Sequence, residues 1–393
     1  MGEFWDIYDE NRVKTGRTAE RDKYEFKEGE YHIVVTGIIL NSKYEILISK
    51  RAPWKRHGSL WECNGGSILS GETSLEGILR ELKEELGITF SKEDAIFLKE
   101  VKRDKKVPDF KDLWLFQKDI STDEISFPDG EATEAKWVTI EQFMNMYKNN
   151  EIVPTIDFKD AEYKMAVEVL KKMKSEKYYD NTESNMPRKN VKYFIENMKI
   201  QPGKAIDIGC GAGNDTVYLI KNGWSVTSID KENVEERISK RLSSDEMKRF
   251  EFQKRNFENM QLEEADLIVA NYSLSFCYKQ EFDEMWKTIE ENIVQEGYFV
   301  GNFFGINDSW SKYKFNMTFF TKNQVMDLFK EFEIIKFDEI EKDALTGLGK
   351  MKHWHIFNVI AKRKWWLVYI QKANLKIIPS NIVFSLKIWY YKT

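Results

Sequence analysis

The chain has 393 residues, enough for two or three domains of roughly 150 residues each. Basic and acidic residues nearly balance and leave a net charge of -5, so the strongly basic surface of a nucleic-acid-binding protein is not expected. Cys63, Cys210 and Cys277 are too few and too scattered for a disulfide framework, and no apolar run approaches the roughly 18 residues of a membrane span.

Residues 1–6 carry neither the basic region nor the apolar region of a signal peptide. We therefore expect a cytoplasmic protein with no integral membrane contact. The sequence leaves the oligomeric state open.

Short strands alternating with turns are predicted in the first part of the chain. They cover residues 31–35, 46–48, 60–63, 95–101, 113–118 and 135–138. An amphipathic helix is predicted over 74–86, because Thr73 and Glu76 form a capping box before it and Gly87 ends it. A second helix is predicted over 140–147.

The second part of the chain follows a polar, lysine-rich stretch at 149–187 and alternates strands with helices. The predicted elements are 204–208, a helix from 215, 225–229, 267–270, a helix over 282–293, and 297–303. This alternation predicts βαβ units and a largely parallel sheet. We divide the chain into a domain at 1–150, a helical linker at 151–187, a domain at 188–362 and a tail at 363–393.

Three carboxylates share one face of the first predicted helix. Glu81, Glu84 and Glu85 stand at i, i+3 and i+4, so they repel one another unless a cation compensates them. Hard cations such as Mg²⁺ take carboxylate oxygens and bridge to substrate phosphates. The alternative is a solvated acidic face balanced by nearby lysine and arginine residues.

The spacing around these carboxylates is distinctive. Gly66, Glu72, Arg80 and the run 81–88 resemble the Nudix box, G-x5-E-x7-R-E-U-x-E-E-x-G-U with U apolar, at every defined position. The resemblance covers about residues 3–148, including Trp61 and the segment 131–137. It implies a Nudix α/β/α sandwich with a mixed sheet. It also implies hydrolysis of a nucleoside diphosphate linked to another moiety, or of another diphosphate.

This resemblance assigns roles to individual side chains. The metal ligands and catalytic residues for Mg²⁺ or Mn²⁺ would be Glu81, Glu84 and Glu85. The general base would be Glu131 or Glu134. The residues that contact phosphate or support the carboxylates would be Arg51, Glu72 and Arg80. The hairpin-like segment 5–18 is similar to the isopentenyl-diphosphate-isomerase branch of this fold, but the intact box favours hydrolysis, and Cys63 is predicted to be a buried strand residue.

A glycine-rich loop marks the second domain. Gly209, Gly211 and Gly213 follow an apolar strand and open a helix, and such glycines let the backbone approach a ligand closely. Asp230 ends the next strand, where an acid can hydrogen-bond a ribose diol. Binding of NAD is the alternative at this stage.

The pattern D-x-G-x-G-x-G, beginning at Asp207, resembles motif I of class I S-adenosylmethionine-dependent methyltransferases. Residues 266–274 and 297–300 resemble later strands of the same enzymes. The resemblance covers about residues 176–362 and is greatest to the tellurite-resistance-type and other small-molecule methyltransferases. It implies a Rossmann-like seven-stranded sheet whose last strand, 353–360, is antiparallel.

The cofactor-binding residues that this resemblance implies are Asp207, Gly209, Cys210, Gly211, Gly213, Asp230, Asn256 and Asn271. The methyl-acceptor pocket would contain Tyr272, His353 and His355. The chain is thus predicted to be a bifunctional enzyme acting on a small-molecule diphosphate and a small-molecule methyl acceptor, with Mg²⁺ (or Mn²⁺) and S-adenosylmethionine as cofactors. The alternative is a nucleotide-sensing Nudix module that regulates a methyltransferase. No role is predicted for the basic, aromatic tail.

Overall fold

A computed structural model describes residues 2–257, 260–314 and 316–364. The chain divides into two compact units, Met1–Met173 and Lys174–Thr393, so the boundary falls inside the segment 151–187. The aromatic part of the tail, from Trp365 onward, lies outside the described residues.

The strands of the first unit are β1 (Phe4–Tyr8), β2 (Lys14–Glu20), β3 (His32–Leu40), β4 (Ile46–Arg51), β5 (Trp61–Glu62), β6 (Ile96–Arg103), β7 (Asp109–Gln117) and β8 (Ala132–Val138). Its helices are α1 (Ser74–Leu86) and α2 (Ile140–Lys148), followed by α3 (Asp160–Thr182), within which the unit ends. One mixed sheet has the order β5-β4-β3-β7-β6, with β8 paired to β4, and β1 and β2 form a separate hairpin. Strand β3 is parallel to β7, whereas the other pairs are antiparallel.

Apolar side chains cover both faces of this sheet. On one face, Leu82 of α1 packs with Val35 and Leu47. On the other face, Phe143 of α2 packs with Ile38. The sheet therefore lies between two helical layers, which confirms the predicted α/β/α arrangement and mixed sheet.

The strands of the second unit are β9 (Lys204–Ile208), β10 (Ser225–Asp230), β11 (Phe250–Lys254), β12 (Ala265–Ala270), β13 (Ile293–Phe304), β14 (Phe332–Leu345) and β15 (Met351–Arg363). Its helices are α4 (Lys189–Met198), α5 (Asn214–Lys221), α6 (Glu235–Ser239), α7 (Ser244–Met247), α8 (Lys279–Asn292) and α9 (Lys322–Leu328). The seven-stranded sheet has the order β11-β10-β9-β12-β13-β15-β14. Strands β9 to β13 are parallel, and β15 is antiparallel to both of its neighbours, as predicted.

Helices also cover both faces of this second sheet. Trp286 of α8 packs with Phe299 on one face, and Phe194 of α4 packs with Val226 on the other. The predicted Rossmann-like α/β architecture is confirmed. None of the described helices combines the length and the apolar character needed to cross a membrane.

The parallel strands bring several predicted residues to one edge of the second sheet. Strand β9 ends just before the glycine loop, β10 ends at Asp230, and β12 ends just before Asn271. Carboxyl ends of neighbouring parallel strands meet at the same edge, which is where ligands bind in open α/β sheets.

Candidate active sites

Local contacts fix the ends of α1. The Thr73 hydroxyl accepts a hydrogen bond from the Glu76 backbone amide, and the Glu76 carboxylate accepts one from the Thr73 amide. At the other end, Gly87 takes the left-handed conformation with a φ of 70°. These caps satisfy backbone groups that a helix end leaves unpaired. They stabilise both ends of α1, the helix that carries the carboxylates.

The Arg80 guanidinium lies among three glutamates. It donates to Glu72 Oε1 over 2.8 Å, to Glu81 Oε1 over 2.9 Å and to Glu84 Oε2 over 2.9 Å. Arg80 therefore supplies the positive charge that offsets the repulsion between the neighbouring carboxylates of α1.

Glu85 points inward and is only 4% exposed. Its Oε2 accepts hydrogen bonds from Asn64 Nδ2 and from the Gly65 amide, each over 3.0 Å. Burial raises the pKa of Glu85, and the nearby Glu62 and Glu81 carboxylates raise it further. Burial also raises the pKa of Glu81, to about 7, despite the opposing effect of Arg80. Buried carboxylates in this arrangement are stabilised in their ionised form by an added cation.

The oxygen donors of α1 fit a hard divalent cation, because Mg²⁺ and Mn²⁺ prefer carboxylate ligands. In the part of the chain that the structure describes, no three acidic, histidine or cysteine side chains converge closely enough to hold a metal as they stand. The contacts of Arg80 with Glu81 and Glu84, and of Asn64 with Glu85, account for this. A cation bound between Glu81 and Glu84 would compete with Arg80 for their oxygens.

The Glu81 carboxylate lies in the space that a side chain at position 66 would occupy, and Gly66 leaves this space free. A Cβ atom at Gly66 would lie 2.6 Å from Glu81 Oε1, well inside van der Waals contact. Only glycine at this position lets the backbone run directly against the carboxylate.

In the second unit, the glycine loop adopts backbone conformations that favour glycine. Gly209, Gly211 and Gly213 have φ values of 71°, 56° and 75°. A Cβ atom at Gly209 would lie 2.3 Å from the Ser273 Cβ, and one at Gly213 would lie 2.3 Å from Ile238 Cγ1. The loop therefore packs tightly against its neighbours at two of its three glycines.

The two acids of this region have different surroundings. Asp230 accepts hydrogen bonds from the Gly211 amide over 2.8 Å and from the Tyr179 hydroxyl over 3.3 Å. Asp207 is buried and accepts one from the Thr216 hydroxyl over 2.6 Å. Burial, together with the nearby Asp215 carboxylate, raises the pKa of Asp207 to about 8. Asp207 is thus bonded to the first turn of α5, whereas Asp230 is bonded to the glycine loop itself.

Asn271 lies at the centre of a buried polar network. Its Nδ2 donates to Asp215 Oδ2 over 2.9 Å, and its Oδ1 accepts from Asn190 over 2.7 Å and from Asn302 over 3.1 Å. Asn302 in turn accepts from the backbone amide of Tyr272, a residue with a φ of 54°. The network holds Tyr272 in a conformation that non-glycine residues rarely adopt.

The loop and its surroundings fit a ligand of the S-adenosylmethionine kind. The Ser273 hydroxyl is buried against Gly209 and has no hydrogen-bond partner among the described residues. Burying a hydroxyl without a hydrogen-bond partner costs free energy. A ligand that accepts a hydrogen bond from Ser273 would remove that cost. Cys210 is a poor nucleophile here, because burial raises the pKa of its thiol.

Asn256 is exposed and follows the end of β11. The next residue toward β11, Arg255, donates its backbone amide to the Asp230 carbonyl over 2.9 Å. Asn256 thus lies near Asp230 along the sheet edge, but no hydrogen bond joins their side chains.

The acceptor pocket predicted from Tyr272, His353 and His355 stays a prediction, and in the structure both histidines have carboxylate partners. His355 Nε2 donates to Glu339 Oε1 over 3.2 Å, and its ring packs on Phe357, on the face of β15 that α8 covers. Successive strand residues point to opposite faces, so Trp354, and not its neighbours, contacts Tyr272. His353 lies between Glu341 and Asp343 at the exposed hairpin.

Comparison with known proteins relates the first unit to one family. The family described as NUDIX domain matches residues 30–156. An uncharacterised Nudix hydrolase of Listeria monocytogenes is 33% identical over 156 residues, which are 39% of this chain and 89% of that protein. The chain belongs to the Nudix hydrolase family.

The second unit carries a different similarity. The family described as tellurite resistance protein TehB matches residues 171–346. A probable S-adenosylmethionine-dependent methyltransferase TehB of Haemophilus influenzae is 26% identical over 145 residues, which are 36% of this chain and 49% of that protein. The chain therefore spans about half of that relative. Residues 171–346 are thus similar to TehB methyltransferases.

Two contacts in the Nudix domain bear on the predicted general base. Glu131 pairs with Lys55 and is one of the charges that raise the pKa of Glu81, so it faces the carboxylates of α1. Glu134 pairs with Lys50 over 2.9 Å and is more than half exposed. The geometry favours Glu131 over Glu134, and Lys55 is a residue that the sequence alone did not single out.

Arg51, the predicted phosphate contact, ends β4 of the Nudix domain. It donates to both Glu62 oxygens, over 2.5 and 2.7 Å, and to the Arg56 carbonyl. A phosphate that binds Arg51 would have to compete with Glu62. Cys63 is buried as predicted, and burial raises the pKa of its thiol to about 12, which makes it unreactive.

Proposed function

We propose that the Nudix domain hydrolyses a diphosphate, most readily a nucleoside diphosphate linked to another moiety, with the help of a divalent cation. We further propose that the second domain transfers a methyl group from S-adenosylmethionine to a small-molecule acceptor. The observation that carries the first proposal is the set of α1 carboxylates, of which Arg80 binds Glu81 and Glu84 while the Gly65 amide binds Glu85. The second rests on the glycine loop with Asp230 beside it.

Glu81, Glu84 and Glu85 would hold Mg²⁺ or Mn²⁺, which when bound polarises the diphosphate and supplies an activated water. Arg80 holds Glu81 and Glu84 close together through one hydrogen bond to each. Glu131 takes the proton of the attacking water, and Lys55 fixes the position of its carboxylate. Glu72 anchors Arg80 through two hydrogen bonds.

The hydrolase proposal is tested by product release from a panel of nucleoside diphosphate derivatives with the full chain and Mg²⁺. Glu84→Gln should lower turnover by about a hundredfold or more, because it removes a charged ligand. Glu168→Gln is the matched control, since Glu168 is exposed on α3 away from the carboxylates. No turnover on any member of the panel by the wild type would contradict the proposal, and tight binding without turnover would favour nucleotide sensing.

In the second domain, the glycine loop and Asp230 are proposed to bind the donor. Asp230 would accept hydrogen bonds from the ribose diol, and Ser273 would donate to a polar atom of the ligand. When bound, S-adenosylmethionine supplies a methyl group activated by its sulfonium. Asn271 holds Tyr272 beside this position, so that the acceptor is oriented for in-line attack.

Calorimetry of the full chain with S-adenosylmethionine and with NAD⁺ tests the donor assignment. Asp230→Ala should weaken binding of S-adenosylmethionine by about 1–3 kcal/mol, through loss of charge-assisted hydrogen bonds. Asp245→Ala is the matched control, because Asp245 is an exposed residue of α7. Binding of NAD⁺ alone would contradict the methyltransferase proposal.

A further inference from the structure

Five aromatic side chains form a cluster next to Asn271. The aromatic cluster consists of Tyr272, Phe276, Phe304, Trp310 and Trp354. Its ring centroids lie 5.7 Å apart for Tyr272 and Trp354 and for Trp310 and Trp354, and 6.0 Å apart for Phe276 and Trp310. The aromatic cluster follows the end of β12 directly, so it borders the proposed donor site on the side of the methyl acceptor.

One part of the aromatic cluster is open to solvent. Phe276 is 43% exposed, and Tyr313, which follows the short helical turn carrying Trp310, is 60% exposed. Large exposed rings beside a proposed active site are suited to stacking against a planar ligand.

A buried cation already fills the inner side of the aromatic cluster. Lys352 Nζ lies 3.6 Å from the Trp354 ring centroid and 4.3 Å from that of Trp310, and it pairs with the buried Asp308. The charge of Lys352 is thus balanced within the protein. Lys352 already occupies the faces of Trp310 and Trp354 on this side, so these two rings are not available there to a cationic ligand.

Lys314 lies on the outer side and is not balanced in this way. Its Nζ stands 4.0 Å from the Trp310 ring centroid. Burial lowers the pKa of Lys314, and the nearby Lys174, Lys352 and Lys231 lower it further. The positive charge of Lys314 therefore attracts an anion that lies beside the Trp310 ring.

The acidic residues near Lys314 have other partners. Asp308 pairs with Lys352. Glu176 and Asp180 pair with Arg237 instead. Among the residues that the structure describes, Lys174, Lys231 and Lys314 make no ion pair with a carboxylate. Asp230 and Glu232 lie near Tyr179, on the side proposed for the donor.

We propose that the methyl acceptor is a planar aromatic compound that carries a carboxylate or a phosphate. Its ring stacks on the exposed side of the aromatic cluster, and its anionic group lies near Lys314. This inference rests on the proposed methyl transfer, because it assigns the acceptor of that same reaction.

Binding of four naphthalene probes to the full chain, with and without S-adenosylhomocysteine, tests the proposal. The anionic probes are 2-naphthoate and 2-naphthyl phosphate, and the neutral ones are 2-naphthamide and 2-naphthol. At least one anionic probe should bind more tightly than its neutral counterpart. Lys314→Gln should weaken the binding of that anionic probe by about tenfold. Lys330→Gln makes the same charge change at an exposed residue that pairs with Asp327, and it should leave the binding unchanged. The carboxylate and phosphate arms distinguish the two kinds of anion.

Equal binding of charged and neutral probes, no binding of any probe, or equal effects of the two lysine variants would overturn the proposal. Failure of S-adenosylhomocysteine to bind would count against methyl transfer instead, and probe binding to the chain without it still decides whether the anionic aromatic site exists. Trp310→Leu should weaken the binding of all four probes, because it removes a stacking surface without changing the charge.

Discussion

Asn271 donates its side-chain amide to Asp215, with 2.9 Å between Nδ2 and Oδ2. This hydrogen bond joins the carboxyl end of β12 to the first turn of α5, and Asn271 and Asp215 are both buried. Because Asn190 and Asn302 donate to the other side of the same amide, one residue satisfies three polar neighbours.

Asn271→Ala should therefore lower the free energy of unfolding of the second unit by about 2 kcal/mol or more, because the buried Asp215 and Asn302 and the half-buried Asn190 lose a hydrogen-bond partner. Hydrogen exchange of peptides from the strands of this unit, measured across a denaturant series, reports the change. Asn197→Ala removes an exposed asparagine of α4 and should shift stability by less than about 0.5 kcal/mol. A similar small shift in both variants would show that the network contributes little.

Gly66→Ala should damage catalysis more than folding. The added Cβ would clash with the end of the Glu81 side chain, which can move, rather than with backbone. We expect the free energy of unfolding to change by less than about 1 kcal/mol. Diphosphate hydrolysis should fall by about tenfold to a hundredfold, because Glu81 is displaced. Ser67→Ala, one residue further on, should retain activity, and an active Gly66→Ala enzyme would contradict the proposed position of Glu81.

His32 should make the first unit less stable in mild acid. The ring is buried, stacks on Trp5 with 4.4 Å between centroids, and donates from Nδ1 to the Pro108 carbonyl. Burial lowers the pKa of His32 to about 4. Between pH 6.5 and 4 the unfolded chain binds a proton that the folded chain does not, so stability falls as the pH falls through this range. The loss is about 3 kcal/mol in total.

Unfolding of the first unit at several pH values, for wild type and His32→Gln, measures this contribution. The variant should lose less stability than wild type between pH 6.5 and 4. Parallel pH curves for wild type and His32→Gln would show that His32 is protonated in the folded chain.

Features that depend on neighbouring residues in sequence were predictable. The first helix begins at Ser74 and ends at Leu86 as predicted, because the capping box at Thr73 and the left-handed Gly87 are local signals. Strand β3 continues to Leu40, beyond the predicted 31–35, since Ile38, Ile39 and Leu40 are all buried and the alternating pattern that marks a half-exposed strand is lost.

Features that depend on tertiary packing were not predictable from local patterns. Asn190 and Asn302 meet Asn271 across long stretches of sequence, although the position of Asn302 on β13, the strand next to β12, was a usable signal. Sequence alternation placed His353 and His355 on the same face of a strand, but it did not tell which face borders Tyr272. Helix α8 packs on the face that carries His355, and Trp354, on the opposite face, contacts Tyr272.

The central claim is that the glutamates of α1 hold a divalent cation, and binding of Mn²⁺ tests it most directly. Electron paramagnetic resonance of the full chain titrated with Mn²⁺ measures the free ion. The account predicts Mn²⁺ binding that Mg²⁺ displaces and that a Glu81→Gln, Glu84→Gln double variant loses, with Glu168→Gln unchanged. Equal Mn²⁺ affinity of the double variant and the wild type would contradict it.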